Sequence, residues 1–445
     1  MVSYKLKRQQ WHWIFLMITL GAILRTIWIF GAHPWDSVEE FQKLYVYSDM
    51  LQYWNGARTM WHPPAIWHSV DTLYPPGMAW FLALLLGPQM DRVFLFQVVQ
   101  WILAILLMPM SALLAYVHFG RRAAYIALGI SAIAFPLFDY SAYVIAETPF
   151  TFLVTAGVLM LSFGLKKKHM FCIALAGIFF GLSATFKSVG LIVGVFAAFS
   201  FLHWRWKVTP IYRYSAAALF VFCIALAITP ASLEMTKRNH GKFLLLSNDV
   251  FRMALANHGD LLGASVKFPD GGGYVIHNPV ALQKSMTDMR NIPWNTDQVL
   301  QENLTWAGNH PKAAAHGVLV RMVDMIYGTV PFPTSGTNFW KLAALSQKLM
   351  LALVYVPALA YLLFGIKNQK NFLLLCLPLI LPIVGLFMTS IIAATEPRYL
   401  HPFTPLLIAL ASPLYVKIRL PVWHRKNMFM RMKKRIVLSI VNVRF

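Results

Sequence analysis

The sequence predicts an all-α polytopic membrane protein, and three features of the chain lead to that fold class. Hydrophobic residues make up 58% and charged residues 13% of the 445 residues, which is too apolar for a soluble domain of this length. The apolar stretches have the roughly 17–25 residues that a membrane helix needs. The short loops between them alternate between basic and not basic, as expected for loops on opposite sides of a membrane.

The apolar stretches divide the chain into about ten predicted spans. They lie at 11–31, 92–117, 122–138, 148–165, 170–186, 189–203, 213–231, 348–366, 371–394 and 398–416. The first follows a basic N-terminus and lacks a small-residue cleavage site, so we interpret it as a retained span rather than a signal peptide. The run 75–86 is too short to cross a bilayer and is predicted to be an interfacial juxtamembrane helix.

The charges of the loops predict which side of the membrane each loop faces, because short cytoplasmic loops retain lysine and arginine. The basic segments are 5–8, 121–122, 166–168, 205–213, 367–370 and the tail from 417. Both termini are therefore predicted to be cytoplasmic. The carboxylates and most of the histidines fall in the external loops.

The loop lengths predict four parts of the chain. These are an N-terminal transmembrane module (1–231, with the external loop 32–91), an external domain (232–345), C-terminal transmembrane helices (346–416) and a basic cytoplasmic tail (417–445). The external domain is long enough for a small core of its own, with helical patterns near 297–309 and 311–328.

The net charge of +22 would suggest a nucleic-acid partner in a soluble protein. Here the excess lies in the predicted cytoplasmic loops and tail, so membrane topology and anionic lipid explain it, and no nucleic-acid partner is predicted. The three cysteines all fall inside apolar runs, which predicts free thiols rather than disulfides.

Candidate chemistry gathers at the outer surface rather than at the bilayer midplane, where ion-coupled transporters place their charged groups. The candidates are Asp36, Asp49, Glu147, Lys187, Arg238, Glu396 and Arg398. An outward-facing set of acids and bases beside apolar helices suits a reaction on a lipid-borne substrate. Apart from Arg25, the predicted spans hold no ionisable residue away from their ends.

Asp49 stands out because Tyr53 and Ala57 follow it at intervals of four, so a helix would place all three on one face. A carboxylate in a polar loop is more often simply solvated, and Asp36 has a similar claim on composition. Lys187 and Arg398 are predicted at headgroup depth, where they could bind a lipid phosphate or extend to ordinary headgroups.

For two further features, a structural role without chemistry is an alternative to a role at the site. Glu147 precedes proline at the start of a predicted span and could serve only as a helix cap. The external histidines show no tight metal-ligand spacing, so no cofactor is predicted, although a divalent metal remains an alternative.

Several motifs occur in an order that resembles one family of membrane enzymes. They are Ser48-Asp49 with Tyr53 and Ala57, Tyr74-Pro75-Pro76-Gly77, Phe119-Gly120-Arg121-Arg122, Glu147-Thr148-Pro149-Phe150, Gly181 to Lys187, Arg238-Asn239-His240-Gly241, Ala256-Asn257-His258 and Glu396-Pro397-Arg398-Tyr399. Together they resemble the GT-C membrane glycosyltransferases, in particular the family 39-like branch with the protein O-mannosyltransferases, the lipid A aminoarabinose transferase and the Rgt-type sugar transferases.

The resemblance implies a GT-C helix bundle and a polyprenyl- or dolichyl-phosphate sugar donor. It implies transfer with inversion to an acceptor hydroxyl on the non-cytoplasmic face, with Asp49 as general base. Lys187 and Arg398 would bind the donor phosphate.

The same resemblance implies that Glu147, Tyr53, Asn257 and Arg238 bind sugar or acceptor, and that Asp36 is an alternative acid. The acceptor would be a glycolipid, a polysaccharide or a protein, and the setting a bacterial inner membrane. Two other function classes stay open: a transporter or flippase of a lipid-linked glycan, and a non-catalytic receptor or assembly scaffold.

Overall fold

The computed structural model describes eleven stretches of the chain. They are 8–32, 38–45, 49–64, 72–203, 208–247, 265–267, 273–275, 296–327, 339–368, 372–392 and 397–417. Three predicted site residues, Asp36, Asn257 and Glu396, lie outside the described residues, as does nearly all of the predicted cytoplasmic tail.

The described residues are predominantly α-helical, as predicted. The helices are α1 Arg8–Thr26, α2 Val38–Tyr45, α3 Asp49–Trp61, α4 Gly77–Leu86, α5 Val93–Phe119, α6 Arg121–Ile133, α7 Glu147–Lys167, α8 Met170–Phe186, α9 Val189–Ala198, α10 Ser200–His203, α11 Pro210–Arg238, α12 Thr296–Asn309, α13 Pro311–Tyr327, α14 Phe339–Met350, α15 Val356–Asn368, α16 Phe372–Ile392 and α17 Thr404–Lys417. Turns of π-helix at Ile27–Ala32 and Leu351–Tyr355 continue α1 and α14. Two strands, β1 Ser265–Lys267 and β2 Gly273–Val275, pair antiparallel.

Among the described residues, five helices are long and apolar enough to cross a bilayer: Trp11–Gly31, Val93–Phe119, Glu147–Lys167, Pro210–Arg238 and Leu345–Gly365. Shorter apolar helices occupy most of the other predicted spans, for example Met170–Phe186 and Leu375–Thr389. The protein is therefore an integral membrane protein, and the number of about ten spans stays a prediction. The helix that begins at Arg121 ends at Ile133, before the predicted span end, and two one-turn 3-10 helices follow at Phe135–Leu137 and Asp139–Ala142.

The basic loops meet at one end of the helix bundle, which we call the basic end. Lys166 Nζ donates to the carbonyl of Val117 at 2.6 Å, close to the turn between α5 and α6. The Tyr212 hydroxyl donates to the Lys168 carbonyl at 2.6 Å, which brings the start of α11 to the same end. His118 Nδ1 lies 3.0 Å from the Leu375 carbonyl near the start of α16.

The opposite end, which we call the site end, holds the first predicted external loop and the starts of α7 and α17. Here α3 and α4 pack on each other and on the segment 135–146 in a shared apolar cluster. Gly77, at the start of α4, lies so close to α8 that an added Cβ would lie 2.5 Å from Thr185 Oγ1 and 2.6 Å from its carbonyl oxygen. This close packing sets the Tyr74-Pro75-Pro76 turn beside the end of α8.

Candidate active site

Four charged side chains from distant parts of the chain converge at the site end and form what we call the four-charge cluster: Asp49, Glu147, Lys187 and Arg398. Lys187 Nζ is 2.6 Å from Glu147 Oε1, and Arg398 Nη2 is 2.8 Å from Asp49 Oδ2. Arg398 Nε lies 3.8 Å from the same Glu147 oxygen, which joins the two ion pairs. The structure therefore brings together four of the residues selected from the sequence.

Burial sets this cluster apart from ordinary surface ion pairs. Lys187, Arg398 and Glu147 are 5%, 5% and 2% exposed. Neither cation extends toward lipid headgroups, which was the alternative role considered for Lys187 and Arg398. Because a buried charge is costly without a partner, the pairing of two acids with two bases is what makes the burial tolerable.

Each side chain reaches the cluster from the end of a helix or a short turn. Glu147 is the first residue of α7, but its side chain does not cap the helix and instead binds Lys187. Lys187 follows α8 in an extended conformation and its backbone N–H still donates to Ser183. Arg398 belongs to the 3-10 turn Pro397–Tyr399, ahead of α17.

Asp49 is the first residue of α3, and both of its carboxylate oxygens accept hydrogen bonds. Arg398 binds Oδ2, and the Tyr74 hydroxyl donates to Oδ1 at 2.8 Å. Tyr53, one turn along α3, packs its ring 5.1 Å from that of Tyr74, and both Tyr53 and Ala57 are buried. Asp49 is more exposed than the other three charges, with 22% of its side chain accessible, so it is the acid of the cluster that faces solvent.

Lys187 has an aromatic neighbour in addition to Glu147. Its ammonium lies 4.9 Å from the centre of the Tyr399 ring, which is a favourable position for a cation. Tyr399 follows Arg398 directly, so one short turn supplies the second cation and the aromatic face for the first.

A small, partly open cleft lies beside Asp49. Its lining comes from α3, the Tyr74-Pro75-Pro76 turn, the first turns of α4 and the end of α11: Gln52, Tyr53, Asn55, Gly56, Tyr74, Pro75, Pro76, Ala79 and Arg238. Tyr74 lines the cleft and also binds Asp49, so the cleft and the four-charge cluster share a wall. Aromatic faces and carboxamides are suited to binding a hydroxyl-rich molecule.

Arg238 reaches this cleft but not the four-charge cluster. Its Nε donates to Glu234 Oε1 at 2.9 Å, one turn earlier on α11, and its Nη2 is 3.8 Å from Met60 Sδ. Arg238 is only 4% exposed. The ion pair with Glu234 makes its contribution to the cleft electrically balanced.

Sequence reasoning missed one buried pair at the site end. Asp139 Oδ2 is 3.1 Å from His401 Nδ1, and Asp139 Oδ1 accepts the Tyr140 backbone N–H at 2.8 Å. Burial raises the pKa of Asp139, and the nearby Glu147 charge raises it further, whereas His401 and the Tyr140 N–H lower it. A carboxylate and an imidazole at the outer ends of two predicted spans were the available signal.

Metal ligation was an alternative left by the sequence. Within the described ranges, no three His, Cys, Asp or Glu side chains come together as a group that could hold a metal ion.

Neither a protein-family model nor a curated protein matches the sequence. Solved structures do match. The archaeal oligosaccharyltransferase AglB from Archaeoglobus fulgidus, in complex with an inhibitory peptide and a dolichol-phosphate, aligns over 96% of this chain with a TM-score of 0.54 and 14% identity. The complex of the A. fulgidus enzyme with Zn and sulfate aligns over the same share at 15% identity and a TM-score of 0.51. ArnT from Cupriavidus metallidurans bound to undecaprenyl phosphate aligns over 91% of this chain and 78% of its own at 14% identity, with a TM-score of 0.43.

The AglB alignments define the class of fold: the chain has the GT-C fold that its motifs predicted. The chain spans about half the length of the AglB chain, 52% in the dolichol-phosphate complex. At this level of identity the similarity concerns the fold, so the chemistry has to be argued from the site itself.

Proposed function

We propose that this protein is an integral membrane glycosyltransferase. It moves one sugar from a polyprenyl-phosphate or dolichyl-phosphate donor to an acceptor hydroxyl on the non-cytoplasmic face, in our preferred setting the face of a bacterial inner membrane away from the cytoplasm. The observation that carries the proposal is the four-charge cluster, in which a partly exposed carboxylate touches one of two buried cations. The dolichol-phosphate in the AglB complex supports a lipid-phosphate donor.

Charge balance in the proposed reaction matches the cluster. The bond between the anomeric carbon and the phosphate oxygen breaks, and its electron pair stays on the phosphate. The acceptor oxygen forms the new bond to the anomeric carbon from the opposite side, which inverts the configuration, and its proton passes to Asp49. The phosphate gains one negative charge while Asp49 loses one, so the net charge of the buried site does not change.

Lys187 and Arg398 would stabilise the charge that develops on the leaving phosphate, because preorganised cations act strongly where water is excluded. Both cations contact carboxylates in this structure, so a lipid phosphate has to compete with Glu147 and Asp49 for them. A phosphate that takes Arg398 would release Asp49 Oδ2, and a carboxylate released from an ion pair is a stronger base. Donor binding would in this way prepare Asp49 for the acceptor.

The cleft beside Asp49 is the proposed place for the acceptor hydroxyl or the sugar ring. Tyr53 and Tyr74 offer ring faces, Gln52 and Asn55 offer amides, and the balanced Arg238–Glu234 pair favours an uncharged, hydroxyl-bearing group. Glu147 is buried and paired with Lys187, which favours a role in holding the cations over direct contact with the sugar. Asn257 and Asp36 remain sequence-based proposals for sugar binding and for an alternative acid.

Glycosyl transfer by the full chain in nanodiscs tests the proposal. The protein is offered a panel of labelled polyprenyl-phosphate hexoses, with membrane lipid, polysaccharide and protein extracts as acceptors. Asp49→Asn should abolish label transfer and leave folding intact, because the amide cannot accept the acceptor proton. Asp91→Asn, the same change at an exposed aspartate, should transfer label like the wild type. The Zn complex of AglB justifies repeating the assay with and without a divalent cation.

Near-normal transfer by Asp49→Asn would remove that residue from the mechanism. Bound lipid-linked sugar that is never transferred, together with its net transport across sealed vesicles, would contradict the transferase and favour a lipid-linked glycan transporter.

A further inference from the structure

The Asp139–His401 pair lies near Glu147 of the four-charge cluster, and the proposed reaction uses neither side chain. Asp139 Oδ2 and His401 Nδ1 are 3.1 Å apart, although the two residues are far apart in the chain. Asp139 is 7% and His401 4% exposed. A buried carboxylate without a partner is destabilising. The contact with His401 offsets that cost, and the question is what the pair does for the site.

Asp139 is held from several directions. The Trp28 indole N–H donates to its backbone carbonyl at 2.9 Å, and the Tyr140 N–H donates to its carboxylate. The preceding residue, Phe138, lies under the Arg25 guanidinium, 4.6 Å from the ring centre. These contacts hold Asp139 in place against α1 and its π-helical continuation, in the segment that leads into α7.

His401 is attached to the segment that carries Arg398. It begins the 3-10 turn His401–Phe403, which directly follows the turn Pro397–Tyr399, and the Phe403 N–H closes that turn on the Leu400 carbonyl at 3.0 Å. The His401 ring also packs 5.5 Å from the Tyr140 ring. The His401 imidazole thus connects the short turn before α17 to Asp139, which is itself held in place.

The turn that carries Arg398 and the start of α7 also meet within the four-charge cluster. The contact there is long, because Arg398 Nε and Glu147 Oε1 are 3.8 Å apart. We infer that Asp139 and His401 are a positioning pair, whose contact sets where the Arg398 guanidinium stands between Asp49 and Glu147. Arg398 is thereby held ready for a lipid phosphate, and this last clause rests on the proposed function.

The positioning can be tested without any substrate, by a double-mutant cycle on the Asp49–Arg398 ion pair. Apparent Tm is measured for Asp49→Asn, Arg398→Gln and the double variant of the full chain in nanodiscs. In the wild-type background the two losses should not add, because either change breaks the same pair. In a His401→Leu background they should add, because Arg398 no longer reaches Asp49.

The chain offers two controls. His118→Leu removes a half-buried imidazole at the basic end, where it bonds Ser162 and the Leu375 carbonyl, and should leave the losses non-additive. His401→Gln can still donate to Asp139 and should restore the wild-type pattern. Should His401→Leu not fold, Asp139→Asn takes its place. Non-additive losses in the His401→Leu background, as in the wild type, would overturn the positioning pair.

Binding of undecaprenyl phosphate supplies the functional arm. His401→Leu should weaken binding by about tenfold, the effect of losing one charge-assisted contact, while His118→Leu should not. A wild-type protein that fails to bind the lipid phosphate would count against the proposed function. Additive losses in His401→Leu would still support the positioning pair in that case.

Discussion

The two ends of the bundle carry charge in opposite ways. At the basic end the lysines 166–168 are exposed; the Lys166 ammonium donates to the Val117 carbonyl, and Lys168 takes part through its backbone carbonyl, which accepts from the Tyr212 hydroxyl. At the site end, Lys187 and Arg398 are buried and bind carboxylates from other segments of the chain. The fold would tolerate neutral residues at the first end, whereas at the second each charge depends on its partner.

This difference separates topology from chemistry. Exposed cations contribute little to stability, so the basic end is explained by the orientation that short basic loops impose in a membrane. A buried ion pair is seldom more stable than a well-packed apolar substitute. Charges that persist where packing does not favour them therefore point to a function at the site end.

Among the variants that compare the two ends, the largest effect is expected from removing the buried lysine. Lys187→Met should lower glycosyl transfer by about 100-fold or more, since it removes a cation that we propose stabilises the leaving phosphate. It should also lower the free energy of unfolding by about 3–5 kcal/mol, because Glu147 is left buried without its nearest cation. Lys167→Met, at an exposed position of the basic end, should change neither quantity.

A companion variant separates the two effects. Lys187→Met with Glu147→Gln removes both charges, so thermal unfolding should return toward the wild type while transfer stays low. Recovery of transfer in this double variant would show that Lys187 serves stability only, and the contrast between the ends would lose its functional meaning.

Two glycines allow the same comparison through packing. In Gly77→Ala the new Cβ meets the Thr185 backbone, so α4 should move away from α8 and displace the turn that carries Tyr74. Transfer should fall by about tenfold, because small displacements of reacting groups are costly. Gly164→Ala, near the basic end, meets mainly the Ile173 side chain and should lower Tm without changing kcat. Equal effects of both variants on kcat would contradict the contrast.

A smaller effect is expected in the cleft. Asn55→Leu removes an amide that lines it and should raise the acceptor KM by about tenfold with little change in kcat, as for a lost hydrogen bond to a hydroxyl. Arg58→Gln, an exposed change on the same helix outside the cleft lining, serves as the control. A change confined to the donor KM would place the donor, not the acceptor, in this cleft.

The smallest effect is a pH dependence of stability at Asp139. Its pKa is raised above the ordinary value of 3.8, mainly by burial, with Glu147 adding to the rise and His401 and the Tyr140 N–H opposing it. The folded protein therefore holds this proton more tightly than the unfolded chain does. The resulting stabilisation is full below the ordinary value and is lost as pH rises through the raised one.

Asp139→Asn should remove this contribution. As pH rises from the ordinary carboxyl pKa of 3.8 through the raised pKa of Asp139, the apparent Tm of the wild type should fall more steeply than that of the variant. Parallel curves for the two proteins would show that the Asp139 carboxylate does not titrate differently in the folded state.

Local features of the fold were accessible from the sequence because they depend on local physics. The helices near 297–309 and 311–328 and the breaks at Gly120 and after Lys167 follow from periodicity and turn residues. The shared face of Asp49, Tyr53 and Ala57 follows from helix geometry. By contrast, the predicted span 122–138 extends past the end of α6 at Ile133. The apolar run continues into 3-10 turns, which composition cannot distinguish from α-helix.

The sequence by itself determined that this is a membrane protein, that its charges separate into basic and non-basic loops, and which acids and bases were candidates. These properties reside in residue types and their spacing. Only the tertiary structure decided that Arg398 binds Asp49, that Glu147 binds Lys187 instead of capping its helix, and that Asp139 meets His401. Such pairings join residues tens to hundreds of positions apart, and they arise from how the helices pack, which no local pattern encodes.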